Sequence, residues 1–220
     1  MKPISAALDL IVVIAVTAGL WSLRFLDVIS DVGPIVMAAA LVLVFIILKM
    51  RREPAASIGL GPLPPPRRLF TEAGWLLPRF ALVWLVGGGL AVALLGQPET
   101  SGAVTQLSDN VWLFLLDVTV ITWVLIGFGE EVLFRGFILH RLLALTGESR
   151  RGRIVACGLQ AAFFGSLHAS QGAAGVVMTG MIGFIFAWYY LGLPKRTLWP
   201  LILVHAATDT IVLSVSWFLS

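Results

Sequence analysis

The chain has little charge and almost no cysteine. Only 12% of its 220 residues are Asp, Glu, Lys or Arg, about half the share usual in soluble domains. With 59% hydrophobic residues and a mean hydropathy of +0.97, that scarcity excludes an ordinary water-soluble globular domain and implies a polytopic membrane protein. The one cysteine, Cys157, excludes an intrachain disulfide. Set in Val155-Ala156-Cys157-Gly158, it reads as a small packing residue. A net charge of +3, carried by basic residues near the ends of apolar stretches, gives no argument for nucleic acid, and none is expected as a partner. No internal repeat is visible, and no stretch is polar enough to form a soluble catalytic domain. Residues 1–220 are therefore expected to form one integral membrane domain, with any chemistry among its spans.

What the chain does have is apolar runs. A bilayer core takes about 20 helical residues per span, which gives seven expected spans. They are approximately Ala7–Leu23, Pro34–Met50, Trp75–Leu95, Val111–Phe128, Ile154–Ser170, Ala173–Leu191 and Leu198–Phe218. Gly129 to Thr146 either prolongs the fourth span or forms a separate short helix after a break at Gly127 and Gly129. The expected fold class is thus all-α, a polytopic membrane helix bundle of seven to eight transmembrane helices. Val16-Thr17-Ala18 loosely resembles a signal-peptidase site, but Asp9 and the weak basic lead of Lys2 favour an uncleaved anchor. Lys49, Arg51, Arg52, Arg67 and Arg68 share one side with Arg141, Arg150, Arg151, Arg153, Lys195 and Arg196 if Val111 to Thr146 crosses once. Asp27, Asp31, Glu99 and Asp109 mark the other side. The positive-inside rule then makes the amino terminus cytoplasmic. Gly59 to Pro66 reads as a stiff proline-rich linker. Trp21, Trp75, Trp112, Trp199 and Trp217 read as interfacial anchors in contact with lipid.

Three polar clusters interrupt this apolar background: Glu130, Glu131 and Arg135; Phe164 and His168; His205 and Asp209. Ionisable groups inside spans are costly and mark functional sites by default. Glu131 and Arg135, four apart, share a helical face and suit a buried ion pair. Glu130 points about 100° away, and one arginine does not easily neutralise both acids. A remaining buried carboxylate suits general-base work. His168 shares a face with Phe164, and taken alone it reads more as a hydrogen-bonded core residue than as a functional one. His205 and Asp209, again four apart, suit either a shared metal ion or water, or a single hydrogen bond. One shared cavity would satisfy all these groups together.

In this order on successive helices, the motifs resemble those of the CAAX-protease and bacteriocin-processing (CPBP, or ABI) family of intramembrane proteases. EExxxR is met by Glu130, Glu131 and Arg135, FxxxH by Phe164 and His168, and HxxxN or HxxxD by His205 and Asp209. The likeness covers roughly residues 111–212, and residues 1–110 match only as generic spans. The resemblance implies an intramembrane endopeptidase of the CAAX prenyl protease type. Glu130 and His168 would activate the attacking water, His205 and Asp209 would stabilise the oxyanion or complete a metal site, and Glu131 and Arg135 would orient the first motif. Better-known eukaryotic-type members carry asparagine where this chain has Asp209, and an ionised aspartate cannot donate to an oxyanion. That departure favours a divalent ion, Zn²⁺ above others, held by Glu130, His168, His205 and Asp209.

The expected protein is therefore a multi-pass metallo-endopeptidase of a prokaryotic cytoplasmic membrane, acting on a membrane-associated peptide or lipidated protein. The alternatives are a non-enzymatic membrane scaffold or bacteriocin-immunity protein, and a small proton-linked transporter. Retention of every catalytic-type position argues against the first. Asp117 is the best support for the second, although it lies thirteen residues before Glu130, roughly 20 Å along an unbroken helix, and reads as a structural partner.

Overall fold

The computed structural model describes residues 3–23, 33–98 and 110–219. Among them there is no strand. The chain runs as α1 (Pro3–Ser22), α2 (Gly33–Arg51), α3 (Pro66–Leu95), α4 (Val111–Thr146), α5 (Arg150–Ser166), α6 (Gly172–Gly192) and α7 (Trp199–Leu219). Six of these are long and apolar enough to cross a membrane; α5 is the exception. It has 17 residues and begins with Arg150, Arg151 and Arg153, so its apolar part is shorter than the roughly 20 residues a bilayer core requires. That shortfall separates the observed count of six from the expected seven to eight. The ambiguous stretch after Gly129 resolves differently. It continues α4 without a break, giving 36 residues in one helix.

Local sequence explains where α4 starts and stops. The Asn110 side chain accepts hydrogen bonds from the Trp112 and Leu113 backbone N–H groups, satisfying two donors that a helix start leaves unpaired. At the other end Gly147 takes φ of 80°, a left-handed conformation that glycine adopts without steric cost. The Ser149 side chain then accepts from the Gly152 N–H to begin α5. Between these caps α4 is unusual, because Asp117–Phe128 and Glu131–Ile138 are wound as π-helix. Such wide turns are rare, and they occur frequently at functional sites.

α4 packs against α1, α2, α5 and α7, α6 packs against α5 and α3, and α7 contacts α3 as well. The core lies around the second half of α4, where Leu133, Phe134, Phe137, Ile138 and Leu139 are buried against residues of α2, α5, α6 and α7. Outward-facing Leu90, Leu94, Leu113, Ile211 and Val212 are exposed. Such a surface suits lipid, which is as apolar as these side chains.

One end of the bundle carries the positive charge. Asp9 of α1 is buried, and its Oδ1 accepts from Arg51 Nε and Nη2 at 3.1 and 2.7 Å while Oδ2 accepts from Arg141 Nε at 3.0 Å. Arg141 also donates to Glu53 at 2.8 Å, and its guanidinium sits 4.5 Å from the Phe137 ring centroid. Across the same end, Arg196 donates twice to Glu148, at 2.7 and 2.8 Å. Those bonds hold the Glu148 carboxyl below its usual range and raise Arg196 above its own. Asp27, Asp31, Glu99 and Asp109, which mark the opposite side in the sequence, lie outside the described residues.

Candidate active site

The three motifs meet on α4, on the turn after α5 and on α7. Glu131 and Arg135 are both fully buried, and Arg135 Nη1 donates to Glu131 Oε1 at 2.9 Å. The same carboxylate oxygen accepts from His205 Nδ1 at 2.7 Å. The guanidinium of Arg135 lies 4.5 Å from the Phe164 ring centroid and 5.3 Å from that of Phe186. Aromatic faces and one carboxylate thus offset its charge where water is excluded. Glu131 is a hub, tying α4 to α7 through His205, while Phe164 ties α5 to the same point.

Because Glu131 can only accept, His205 must carry its proton on Nδ1. Its Nε2 therefore faces the other two carboxylates, 3.7 Å from Glu130 Oε2 and 3.4 Å from Asp209 Oδ2. The Phe186 ring meets the imidazole edge to face at 5.9 Å between centroids. His168 obeys the same logic. Its Nδ1 lies 2.9 Å from the Phe164 carbonyl oxygen, which also only accepts, so Nδ1 carries a proton and the neutral imidazole has its lone pair on Nε2.

The helical placement expected for His168 needs correction. α5 ends at Ser166, and His168 sits in the turn that leads into the short 3₁₀ segment Ala169–Gln171. The hydrogen bond back to Phe164, four residues earlier, preserves the side-chain relation that the helix would have supplied. Close helix packing supports the turn. A Cβ on Gly165 would lie 2.6 Å from the Val176 carbonyl oxygen, so only glycine lets α5 and α6 approach this closely. Gly127 plays the same part between α4 and α7, where a Cβ would lie 2.6 Å from that of Ala206, next to His205.

Glu130 and His168 line one cavity of about 270 Å³, together with Phe134, Phe164 and Leu167. Glu130 is partly buried, with 14% of its side chain exposed, against 0% for Glu131. The adjacent acids are therefore separated as the sequence suggests, one in the wall of a cavity and the other inside the packed core. Asp209 is more open than either, at 36%.

Sequence comparison adds an independent line. Residues 110–211 match the family described as type II CAAX prenyl endopeptidase Rce1-like. Over these 102 of 220 residues the chain is similar to the Rce1-like CAAX proteases. The matched segment contains all seven motif residues, and it begins at the Asn110 cap of α4 and ends within α7. No curated protein and no solved structure is significantly similar to the chain. The Rce1-like family and the six apolar helices together support a multi-pass membrane protein of endopeptidase type, acting on a peptide or protein.

Two features of the site escape motif reading. Asp117 lines the same cavity as Glu130, although thirteen residues separate them on α4; its position inside a span was the signal. Thr17 and Met37, from α1 and α2, line the cavity too, so helices outside the matched segment complete its wall. As for a metal, among the described residues no group of three or more His, Cys, Asp or Glu side chains stands in an arrangement that could hold an ion. Glu131 Oε1 is already engaged by Arg135 and His205. Of the four expected ligands, Glu130 and Asp209 stand 3.7 and 3.4 Å from His205 Nε2, while His168 lies on the turn after α5.

Proposed function

We propose that the chain is a membrane-embedded endopeptidase in which Glu130 and His168 activate a water molecule in the cavity they share. The observation that carries the reading is the pairing of a cavity-facing carboxylate with a histidine whose Nε2 lone pair is left free by the Nδ1 bond to Phe164. Glu130 takes a proton from water as its oxygen bonds to the scissile carbonyl carbon. The C–N bond then breaks, and the proton passes to the leaving amine. His205, fixed by Glu131, presents Nε2 between Glu130 and Asp209. When Nε2 carries a proton it can donate to the developing oxyanion. Asp209 accepts from His205 and orients it, a role an aspartate can fill without donating. Glu131 and Arg135 act as positioning residues, since they are sealed from the cavity side by burial.

No step in this scheme uses a metal. A divalent ion on Glu130, His168, His205 and Asp209 is retained as a proposal for elemental analysis, and the convergence of two carboxylate oxygens on His205 Nε2 is what favours it. The placement of Asp117 in the cavity wall favours a second reading, a proton relay through Asp117, Glu130 and His168.

The test is cleavage by full-length protein in lipid vesicles, using a panel of membrane-anchored reporter peptides read by mass spectrometry. Glu130→Gln and His168→Ala are expected to fold and to lose roughly 10²-fold or more in rate. Cleavage by Glu130→Gln at the wild-type rate would overturn the assignment. Proton flux that depends on Asp117, with no cleavage of any reporter, would favour the relay.

A further inference from the structure

The direction in which the cavity faces follows from the course of the chain. α5 starts at Arg150, close to the clasp between Glu148 and Arg196, and runs 17 residues, about 25 Å. Only then comes the turn bearing His168, after which α6 returns to Gly192, just before Lys195 and Arg196. His168 is therefore placed towards the end of the bundle opposite the arginine-rich edge. The cavity extends the same way. Its wall includes Trp21 in the last turn of α1, Gly33 and Pro34 at the start of α2, Asp117 near the start of α4, and Leu213 in the second half of α7. Each lies far along its helix from the basic edge.

In the other direction the path from the site is closed. Glu131, Arg135, Phe137, Leu139 and Arg141 are fully buried, and Ile138 is 1% exposed. Behind them the Ile58 backbone presses against Gly136, where a Cβ would lie 2.9 Å from the Ile58 carbonyl oxygen. Leu198 N–H donates to Gly59 and Trp199 Nε1 donates to Gly61, so the linker after α2 is bonded across this end of the bundle. A peptide arriving from the arginine-rich edge meets packed side chains and an interlocked ion-pair network.

We propose that the site takes its substrate from the membrane face opposite the arginine-rich edge, which under the positive-inside rule is the extracytoplasmic face. The substrate class is then a peptide segment presented outside the cytoplasm, as part of a secreted or outward-facing membrane protein, and not a cytoplasmic chain terminus. The cleavage in this statement rests on the endopeptidase reading; the side of access does not.

The experiment separates the two. In a Cys157→Ala background of the full chain, Ser170→Cys and Leu213→Cys report the cavity, and Arg196→Cys reports the basic edge. Cells expressing each variant are treated with a membrane-impermeant maleimide, intact and after permeabilisation. Ser170→Cys and Leu213→Cys are expected to label in intact cells, whereas Arg196→Cys labels only after permeabilisation. Labelling of Arg196→Cys in intact cells, or failure of both cavity positions to label from outside, would overturn the proposal. A paired reporter, with its cleavable segment tethered outside or inside, gives the second readout, and outside-only cleavage is expected. If the labelling pattern holds while Glu130→Gln still cleaves, the catalytic assignment falls and the side of access stands.

Discussion

At the residue scale, neighbouring carboxylates on one helix have opposite environments. Glu131 is bound by Arg135 and His205 in the core, and Glu130 faces the cavity. Substitutions should separate accordingly. Glu130→Gln keeps the size of the side chain and removes the base, so its thermal midpoint in detergent should match wild type while turnover is lost. Glu131→Gln or Arg135→Ala leaves the partner charge buried and uncompensated, which costs about 3–5 kcal/mol. For these a large drop in midpoint is expected, measured by tryptophan fluorescence during thermal unfolding. An unchanged midpoint for Arg135→Ala would argue against Glu131 and Arg135 as the structural hub. Asp9 makes the same argument outside the matched domain. Asp9→Ala removes one of the two carboxylates paired with the fully buried Arg141 and leaves Glu53, so it should destabilise the chain by less than Arg135→Ala does.

At the scale of elements, the site depends on how closely helices approach. Gly127 lets α7 lie against α4 at the level of Ala206, so His205 can reach Glu131. Gly127→Ala places a methyl 2.6 Å from the Ala206 Cβ, and the backbone of α7 must move. Overpacking of this kind costs typically about 1–3 kcal/mol. Since the displaced helix carries His205, activity should fall further than stability alone accounts for, as seen in kcat at saturating reporter. The joint between α5 and the α6–α7 connection is pH-sensitive. The Glu148 carboxyl is held below its usual range by Arg196, so its contribution is fully present above the unfolded-state value of about 4.3 and is lost as pH falls through the lower folded-state value. Glu148 is half exposed, which keeps the effect small. Hydrogen exchange around residues 193–198 should rise in acid for wild type, and Glu148→Gln should show that raised exchange already at neutral pH.

At the scale of the whole molecule, charge is sorted along the membrane normal. Ion pairs built on Arg51, Arg141 and Arg196 close one end of the bundle, and the cavity lies towards the other. Composition of the purified protein bears on the chemistry directly. Zinc at about one per chain, absent in a His205→Ala, Asp209→Ala double mutant, would establish an ion at these residues. If no metal binds after incubation with excess Zn²⁺, the water-activating pair remains.

The amino-acid sequence by itself determined the membrane setting and the all-helical class, and it singled out the candidate site residues. These follow from local properties: apolar runs have one low-energy solution in lipid, and ionisable groups inside them are too costly to be incidental. Glu130, Glu131, Arg135, His168, His205 and Asp209 were legible for that reason. The tertiary structure decided what depends on contacts between distant segments. Continuity of α4 past Gly129 turned on how its wide turns pack against α1, α2, α5 and α7. The end of α5 before His168 turned on the close approach of α6 at Gly165. Asp117 joined the site, and α1 and α2 supplied its far wall, because a cavity belongs to the assembled bundle and to no single helix. The side on which that cavity lies is likewise a property of the packed chain, since it depends on which ends of the helices are closed by buried charge and which are left to form its wall.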